Sequence, residues 1–206
     1  MTSFAYDELL PRLRQAYDGK AEFREQLAKT GWKLAERAAF GEKLHSGQRL
    51  LEIGAGTGQD SAHFASLGLD VVATDLSPAM VGYCRAKGLE AHVMDVLGLS
   101  FPDGAFDVVY SVNCLLHVPN ADLPAALDQI HRVLRPEGLC YLGMYGGNGD
   151  EGPLADDEHD PPRFFSWRTL DQLREFVRPR FTVLDAHSVD THREGSFHSL
   201  TLRSTL

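Results

Sequence analysis

The sequence predicts an α/β fold, a mostly parallel sheet with helices on both faces, on two observations. From residue 48 onward, apolar strand-like runs alternate with segments of helical periodicity, the signature of successive βαβ units. The first unit also carries a glycine-rich turn between strand and helix, in Leu50-Leu51-Glu52-Ile53-Gly54-Ala55-Gly56-Thr57-Gly58-Gln59. Glycines let a ligand approach the main chain closely. The helix that opens near Gly58 offers free N–H groups and the positive end of its dipole.

The elements follow in order. Residues 5–17 and roughly 21–45 read as helices, the second through Leu27, Leu34, Ala38 and Phe40, with Gly19 and Gly47 at their ends. Arg49–Ile53 is the first strand, and its helix runs to about Leu67. Asp70–Asp75 is the second strand; Ser77 then caps a helix with Pro78 at its first position. Short strand Glu90–Met94 follows, then the apolar strand Phe106–Val112, a helix from Asp122-Leu123-Pro124 to about Leu134, and strand Leu139–Tyr145 after a Pro136-Glu137-Gly138 turn. The alternation then breaks. Residues 146–163 hold four glycines, three prolines and the acidic run Asp156–Asp160. A loop of this length inside a compact domain is usually functional or disordered. A helix at about 168–178 and strands Phe181–Asp185 and Ser196–Arg203 complete the chain.

Composition narrows the function. A chain of 206 residues suits one domain with a small appendage. A net charge of −9 gives no broad attraction for phosphate backbones, so a small-molecule partner is favoured over nucleic acid. Cys84, Cys114 and Cys140 are far apart, form no C-x-x-C and read as small apolar core residues of a reducing compartment. The first residues lack the basic start and apolar core of a signal peptide, and no apolar run approaches the roughly 18 residues of a membrane span. The expectation is a cytoplasmic protein, monomer or homodimer, with no membrane partner.

The glycine spacing bears on the ligand. A dinucleotide fingerprint G-x-G-x-x-G counted from Gly54 would end at position 59, which is Gln59. The pattern is instead E-x-G-x-G-x-G, which resembles the first motif of the class I S-adenosylmethionine-dependent methyltransferases. Thr74-Asp75-Leu76-Ser77-Pro78-Ala79-Met80 looks like the family's second motif, and Met94-Asp95-Val96 like its third. Phe106–Ser111 with Leu115-Leu116-His117-Val118-Pro119 resembles the fourth region, and Leu134-Arg135-Pro136-Glu137-Gly138 the turn before the fifth strand. The resemblance covers roughly residues 48–145 and is closest to small-molecule members. It implies a Rossmann-like sheet of seven strands with an antiparallel last strand, and an N-terminal helical cap. The implied division is a cap at 1–47 and a methyltransferase core at 48–206, with 146–167 as a substrate lid.

The resemblance also assigns residues. S-adenosylmethionine would be held by Glu52, Gly54, Gly56 and Gly58 at its methionine part, by Asp75 at the ribose, and by Asp95 and Val96 at the adenine, with Leu76, Met80 and Asn113 as further cofactor contacts; S-adenosylhomocysteine is the product. A carboxylate such as Asp75 suits two ribose hydroxyls because charged acceptors make the stronger hydrogen bonds. His117 follows the fourth strand, and its ordinary pKa suits proton removal at neutral pH; it reads either as a base or as a residue packed against cofactor and backbone. Arg163 and Phe164 end the long loop, either closing over the acceptor or pinning the loop, and Tyr17 and Trp32 of the N-terminal helices join them as candidate acceptor contacts. His187, His192 and His198 match no ligand spacing, so no metal is expected. The DNA amino-methyltransferase tetrapeptide is absent after the fourth strand, where Asn113-Cys114-Leu115-Leu116 stands, which argues for a small acceptor rather than a flipped base. The reading is methyl transfer to O or N of a small molecule. The alternatives are a non-catalytic S-adenosylmethionine-binding regulator and a nicotinamide oxidoreductase; Gln59 and the antiparallel strand argue against the latter.

Overall fold

The computed structural model describes residues 4–191 and 196–205. Three helices, α1 (Tyr6–Asp18), α2 (Ala21–Gln26) and α3 (Gly31–Gly41), precede β1 (Arg49–Ile53), α4 (Gln59–Ser66), β2 (Asp70–Asp75), α5 (Pro78–Ala86), β3 (Glu90–Val93), β4 (Phe106–Val112), α6 (Leu123–Val133) and β5 (Leu134–Gly146). A hairpin of β6 (Glu151–Pro153) and β7 (Phe164–Ser166) comes next, then α7 (Leu170–Val177), β8 (Phe181–Asp190) and β9 (Ser196–Ser204).

The seven-stranded sheet runs β3-β2-β1-β4-β5-β9-β8, with β9 antiparallel to both its neighbours. Chain order reverses between β1 and β4, so their carboxyl ends open a crevice, the usual ligand position in such sheets. Successive strand side chains face opposite layers. Leu51, Ile53 and Val109 join a cluster with Ile130, Leu173 and Val177, while Leu50, Val108 and Tyr110 join one with Phe40 and Phe64. Ser77 caps α5 as its sequence predicts, its Oγ accepting from the Met80 N–H at 3.1 Å.

Four elements depart from the sequence reading, the first being β5, which begins at Leu134 and takes the expected Pro136-Glu137-Gly138 turn into the strand as an irregularity of its pairing with β4. The single helix expected at 21–45 is two, α2 and α3, separated at Leu27–Thr30. The break has a long-range cause: the Gln59 side-chain amide donates to the Glu25 and Leu27 carbonyls at 3.3 and 3.2 Å and satisfies the end of α2. The long loop is not structureless, because Glu151–Pro153 pairs with Phe164–Ser166 as a two-stranded sheet. Finally, β8 runs five residues past Asp185, paired throughout with β9.

Candidate active site

The glycine-rich turn is built on the end of β2. The Gly54 and Ala55 N–H groups donate to the Thr74 carbonyl at 2.8 and 2.9 Å, and the Gly56 N–H donates to Asp75 Oδ2 at 2.8 Å. Asp75 Oδ1 accepts from the Ser77 N–H at 2.9 Å. Burial pushes the Asp75 carboxyl upward, and these two N–H groups oppose the shift. Each oxygen still has acceptor capacity. The glycines have distinct reasons. At Gly54 (φ +73°) a Cβ would come within 2.5 Å of the Cys114 Cβ, so this glycine lets the loop after β4 close on β1. At Gly56 (φ +55°) an added Cβ meets nothing within 4 Å, because the position faces the crevice.

That crevice is a cavity of about 520 Å³ whose lining includes Glu52, Gly54, Gly56, Asn113, Tyr145 and Trp32. Glu52 is 3% exposed, and its Oε2 accepts from the Ser61 hydroxyl. Burial, with Asp60 nearby, raises its pKa above the ordinary carboxyl range. A buried acid on a cavity wall suits a cationic ligand group. Asn113 adopts the left-handed conformation (φ +54°), with its N–H on the Gly143 carbonyl at 2.7 Å and its Oδ1 accepting from the Tyr145 N–H at 3.2 Å. Such geometry in a residue other than glycine marks a place where the surroundings hold the backbone.

The N-terminal helices close the other side. Asp60, in the first turn of α4, accepts from Lys29 and Arg37, each at 2.9 Å, tying the α2–α3 linker and α3 to the turn. Lys87 pairs with Glu25 at 2.6 Å and donates to the Thr57 carbonyl at 3.0 Å. Trp32 packs on Phe197, with ring centroids 4.7 Å apart, and meets Tyr145 edge-on at 6.2 Å. Over the second and third motifs lies α1. The Tyr6 hydroxyl donates to Asp95 Oδ1 at 2.8 Å, and Asp18 accepts from the Ser77 hydroxyl and, at 3.1 Å, from the Ala79 N–H. Tyr6 shares one buried cluster with Val96 and Leu115, against which Leu76 packs.

Of the residues singled out from the sequence, the cavity lining therefore brings together Glu52, Gly54, Gly56, Asn113 and Trp32. Asp75 lies directly behind the turn. Leu76, Asp95 and Val96 lie beneath α1, while Met80 and Gly58 face the packing of α5, where a Cβ on Gly58 would meet Cys84.

Tyr17, His117, Arg163 and Phe164 come together in a second, closed cluster. His117 is 6% exposed; its Nδ1–H donates to the Phe164 carbonyl at 2.7 Å and its Nε2 accepts from the Tyr17 hydroxyl at 2.5 Å. Burial, opposed by the Phe164 bond, drives its pKa down to about 3, so the ring is neutral. Arg163, read as closing over the acceptor or pinning the loop, is forked onto Asp157: Nε and Nη2 donate to its two oxygens at 2.8 Å, and Nη1 donates to the Tyr17 hydroxyl at 3.2 Å. Burial raises the Asp157 carboxyl, but the Arg163 bonds prevail and hold it well below the usual range. The planar guanidinium matches both carboxylate oxygens at once, the bidentate form of this pair. Beneath, Arg168 is 1% exposed and donates to the carbonyls of Leu115 (2.9 Å) and Val118 (2.5 Å) and to Asn120 Oδ1 (2.7 Å), which fixes the turn carrying His117. Asp60, Tyr6, Asp157 and Arg168 were not apparent as site residues in the sequence; only the acidic run around Asp157 gave a signal. His187 is exposed beside Asp185 and Glu36, His198 bonds Ser188, and His192 lies outside the described residues. Among the described residues no His, Cys, Asp or Glu group is arranged to hold a metal ion.

Comparison with known proteins agrees with this architecture. Residues 51–142 match the family model described as a methyltransferase domain. Malonyl-[acyl-carrier protein] O-methyltransferase of Serratia marcescens is 37% identical over 137 residues, which cover 63% of this chain and 52% of that protein. Demethylmenaquinone methyltransferase of Beutenbergia cavernae is 39% identical over 116 residues, 55% of this chain and 47% of that protein. The chain thus spans about half the length of the curated relatives it matches. Burkholderia thailandensis 1,6-didemethyltoxoflavin-N1-methyltransferase, solved with 1,6-didemethyltoxoflavin and S-adenosylhomocysteine bound, superposes with a TM-score of 0.83 at 23% identity, covering 100% of this chain and 93% of that one. Residues 51–142 thus match a methyltransferase domain, and the fold of the chain is that of the solved methyltransferase.

Proposed function

We propose that the protein transfers a methyl group from S-adenosylmethionine to an O or N atom of a small-molecule acceptor. The observation that carries the reading is the Gly56–Asp75 turn opening on a cavity walled by Glu52. Glu52 suits the amino group of the methionine part, Gly56 a close main-chain approach, Asp75 the ribose hydroxyls, and Asp95 with Val96 the adenine. When bound, the cofactor supplies a methyl group on a sulfonium, whose departure as a neutral thioether needs no metal. What remains for the chain is to align the acceptor and exclude water, and alignment alone supplies roughly 7–11 kcal/mol in well-oriented systems.

Within this reading, Asn113 and Tyr145 flank the acceptor side of the cavity. His117 acts as a positioning residue: both ring nitrogens are engaged, so it joins the fourth region to α1 and to residues 146–167. The 1–47 segment serves as a cap on the 48–206 core, and 146–167 covers the acceptor side, with Phe164 and Arg163 shaping the cover through Tyr17. No helix among the described residues is long and apolar enough to cross a membrane. The reading is of a cytoplasmic enzyme, monomer or homodimer, and the net charge of −9 favours metabolites over nucleic acid as its partners.

The test is incubation of the purified chain with methyl-labelled S-adenosylmethionine and a metabolite extract, followed by mass spectrometry. Label should appear in a small-molecule product. Label absent from every product, with S-adenosylhomocysteine still bound by the protein, would favour the regulatory alternative.

A further inference from the structure

Arg24 is the unassigned group that lies nearest both halves of the site. It projects from α2, is partly buried and lines the cavity. Its guanidinium lies 5.7 Å over the Tyr17 ring. Among the described residues no carboxylate lies within ion-pair distance of it, whereas Lys29 and Arg37 share Asp60, Lys87 has Glu25, and Arg163 is forked onto Asp157. An arginine at a cavity wall without an acid is placed to receive one from a ligand, because its planar fork matches carboxylate and phosphate oxygens.

Its position decides between two sources of that anion. S-adenosylmethionine carries a carboxylate of its own on the methionine part, at the Glu52 end of the turn. Lys29, held at 2.9 Å by Asp60 of α4, acts on Glu52. Arg24 acts instead on Asp75, Tyr17, His117 and His159, which lie on the ribose and acceptor side. Further along the same lining, Trp32 and Tyr145 meet edge-on with the Lys33 ammonium 5.2 Å from each ring, an aromatic wall with a second cation.

We propose that the methyl acceptor is a small planar acid, its carboxylate or phosphate held by Arg24 and its ring lying along Trp32 and Tyr145. This rests on the methyltransferase reading above. Arg24 sets which acceptors are taken rather than how the cofactor binds.

The experiment is calorimetric titration of the full chain loaded with S-adenosylhomocysteine. The probes are 4-hydroxybenzoate, phenyl phosphate and the neutral 4-hydroxybenzamide. At least one acid should bind about tenfold or more tighter than the amide, the scale of a charged hydrogen bond; comparison of the two acids tells carboxylate from phosphate. Arg24→Gln should erase that preference and Arg24→Lys should restore part of it, while S-adenosylhomocysteine affinity stays within about twofold of wild type. Equal binding of acid and amide, no binding of either acid, or a preference retained in Arg24→Gln would each overturn the proposal. A loss of S-adenosylhomocysteine affinity in Arg24→Gln equal to the loss of acid affinity would also overturn it, by assigning Arg24 to the cofactor's own carboxylate. If the wild-type chain binds no S-adenosylhomocysteine, the underlying reading fails and this inference with it, a result distinct from all the others.

Discussion

The Tyr17 hydroxyl and His117 Nε2 stand 2.5 Å apart, joining the N-terminal cap to the turn that follows β4. The same hydroxyl accepts from Arg163 Nη1 at 3.2 Å, so three segments distant in the chain meet at one oxygen. His117 also donates to the Phe164 carbonyl, so its ring has one tautomer and no free nitrogen.

The pair should be worth more to stability than to chemistry. Tyr17→Phe leaves two buried groups without a partner and should cost about 1–3 kcal/mol in denaturant unfolding. His117 has a folded pKa near 3 against an unfolded value of 6.5, so between those values the unfolded chain binds more protons. Stability should therefore fall as pH drops below about 6.5 and continue to fall toward 3, and His117→Gln should flatten that slope. A base would instead give an activity loss of about 10²–10⁴-fold in His117→Gln, together with a changed pH–rate profile. We expect a smaller loss and an unchanged profile.

Glu52 gives the opposite pH signature. Its folded pKa lies above the ordinary carboxyl value, so the folded chain holds the extra proton. Stability of the ligand-free protein should then decline as pH rises from the ordinary carboxyl range through the raised pKa. Glu52→Gln should remove the decline and raise the melting temperature at pH about 8, while weakening S-adenosylhomocysteine. A variant that melts with the wild-type pH dependence would show that Glu52 is ionised in the folded chain.

Tyr6 and the adenine amino group are both donors to Asp95 in this account. Tyr6→Phe removes the internal donor, and S-adenosylhomocysteine should bind more tightly by about 0.5–1.5 kcal/mol, the net worth of one hydrogen bond. Weaker binding would mean that the hydroxyl orients Asp95 for the ligand rather than competing with it.

The alternation of strands and helices, the capped start of α5 and the glycine turn were legible in the sequence because each depends on neighbours. Ser77-Pro78 is a local cap, and the Gly54–Gly58 spacing meets backbone demands within one turn. The break between α2 and α3 was not, since Leu27-Ala28-Lys29-Thr30 contains no breaker and the carbonyls there are satisfied by Gln59, more than thirty positions on. The same residue that argued against a dinucleotide fingerprint thus shapes the cavity wall. Arg163 illustrates a second limit: its residue type suits an anion, but the sequence did not say that Asp157 of the same loop would reach it. Tyr6 with Asp95, 89 positions apart, had no sequence signal linking the two.

The central claim is that an adenosyl ligand occupies the turn between Gly56 and Asp75, and isothermal titration with S-adenosylhomocysteine tests it most directly. The wild-type chain should bind in the micromolar range, about 8 kcal/mol, and far more tightly than it binds NAD. Gly56→Val, which fills the open side of the turn, should abolish binding, and Asp75→Asn should weaken it by about 1.5–3 kcal/mol, with folding of each variant verified by its melting curve. Wild-type affinity in a folded Gly56→Val chain, or a preference for NAD, would contradict the account.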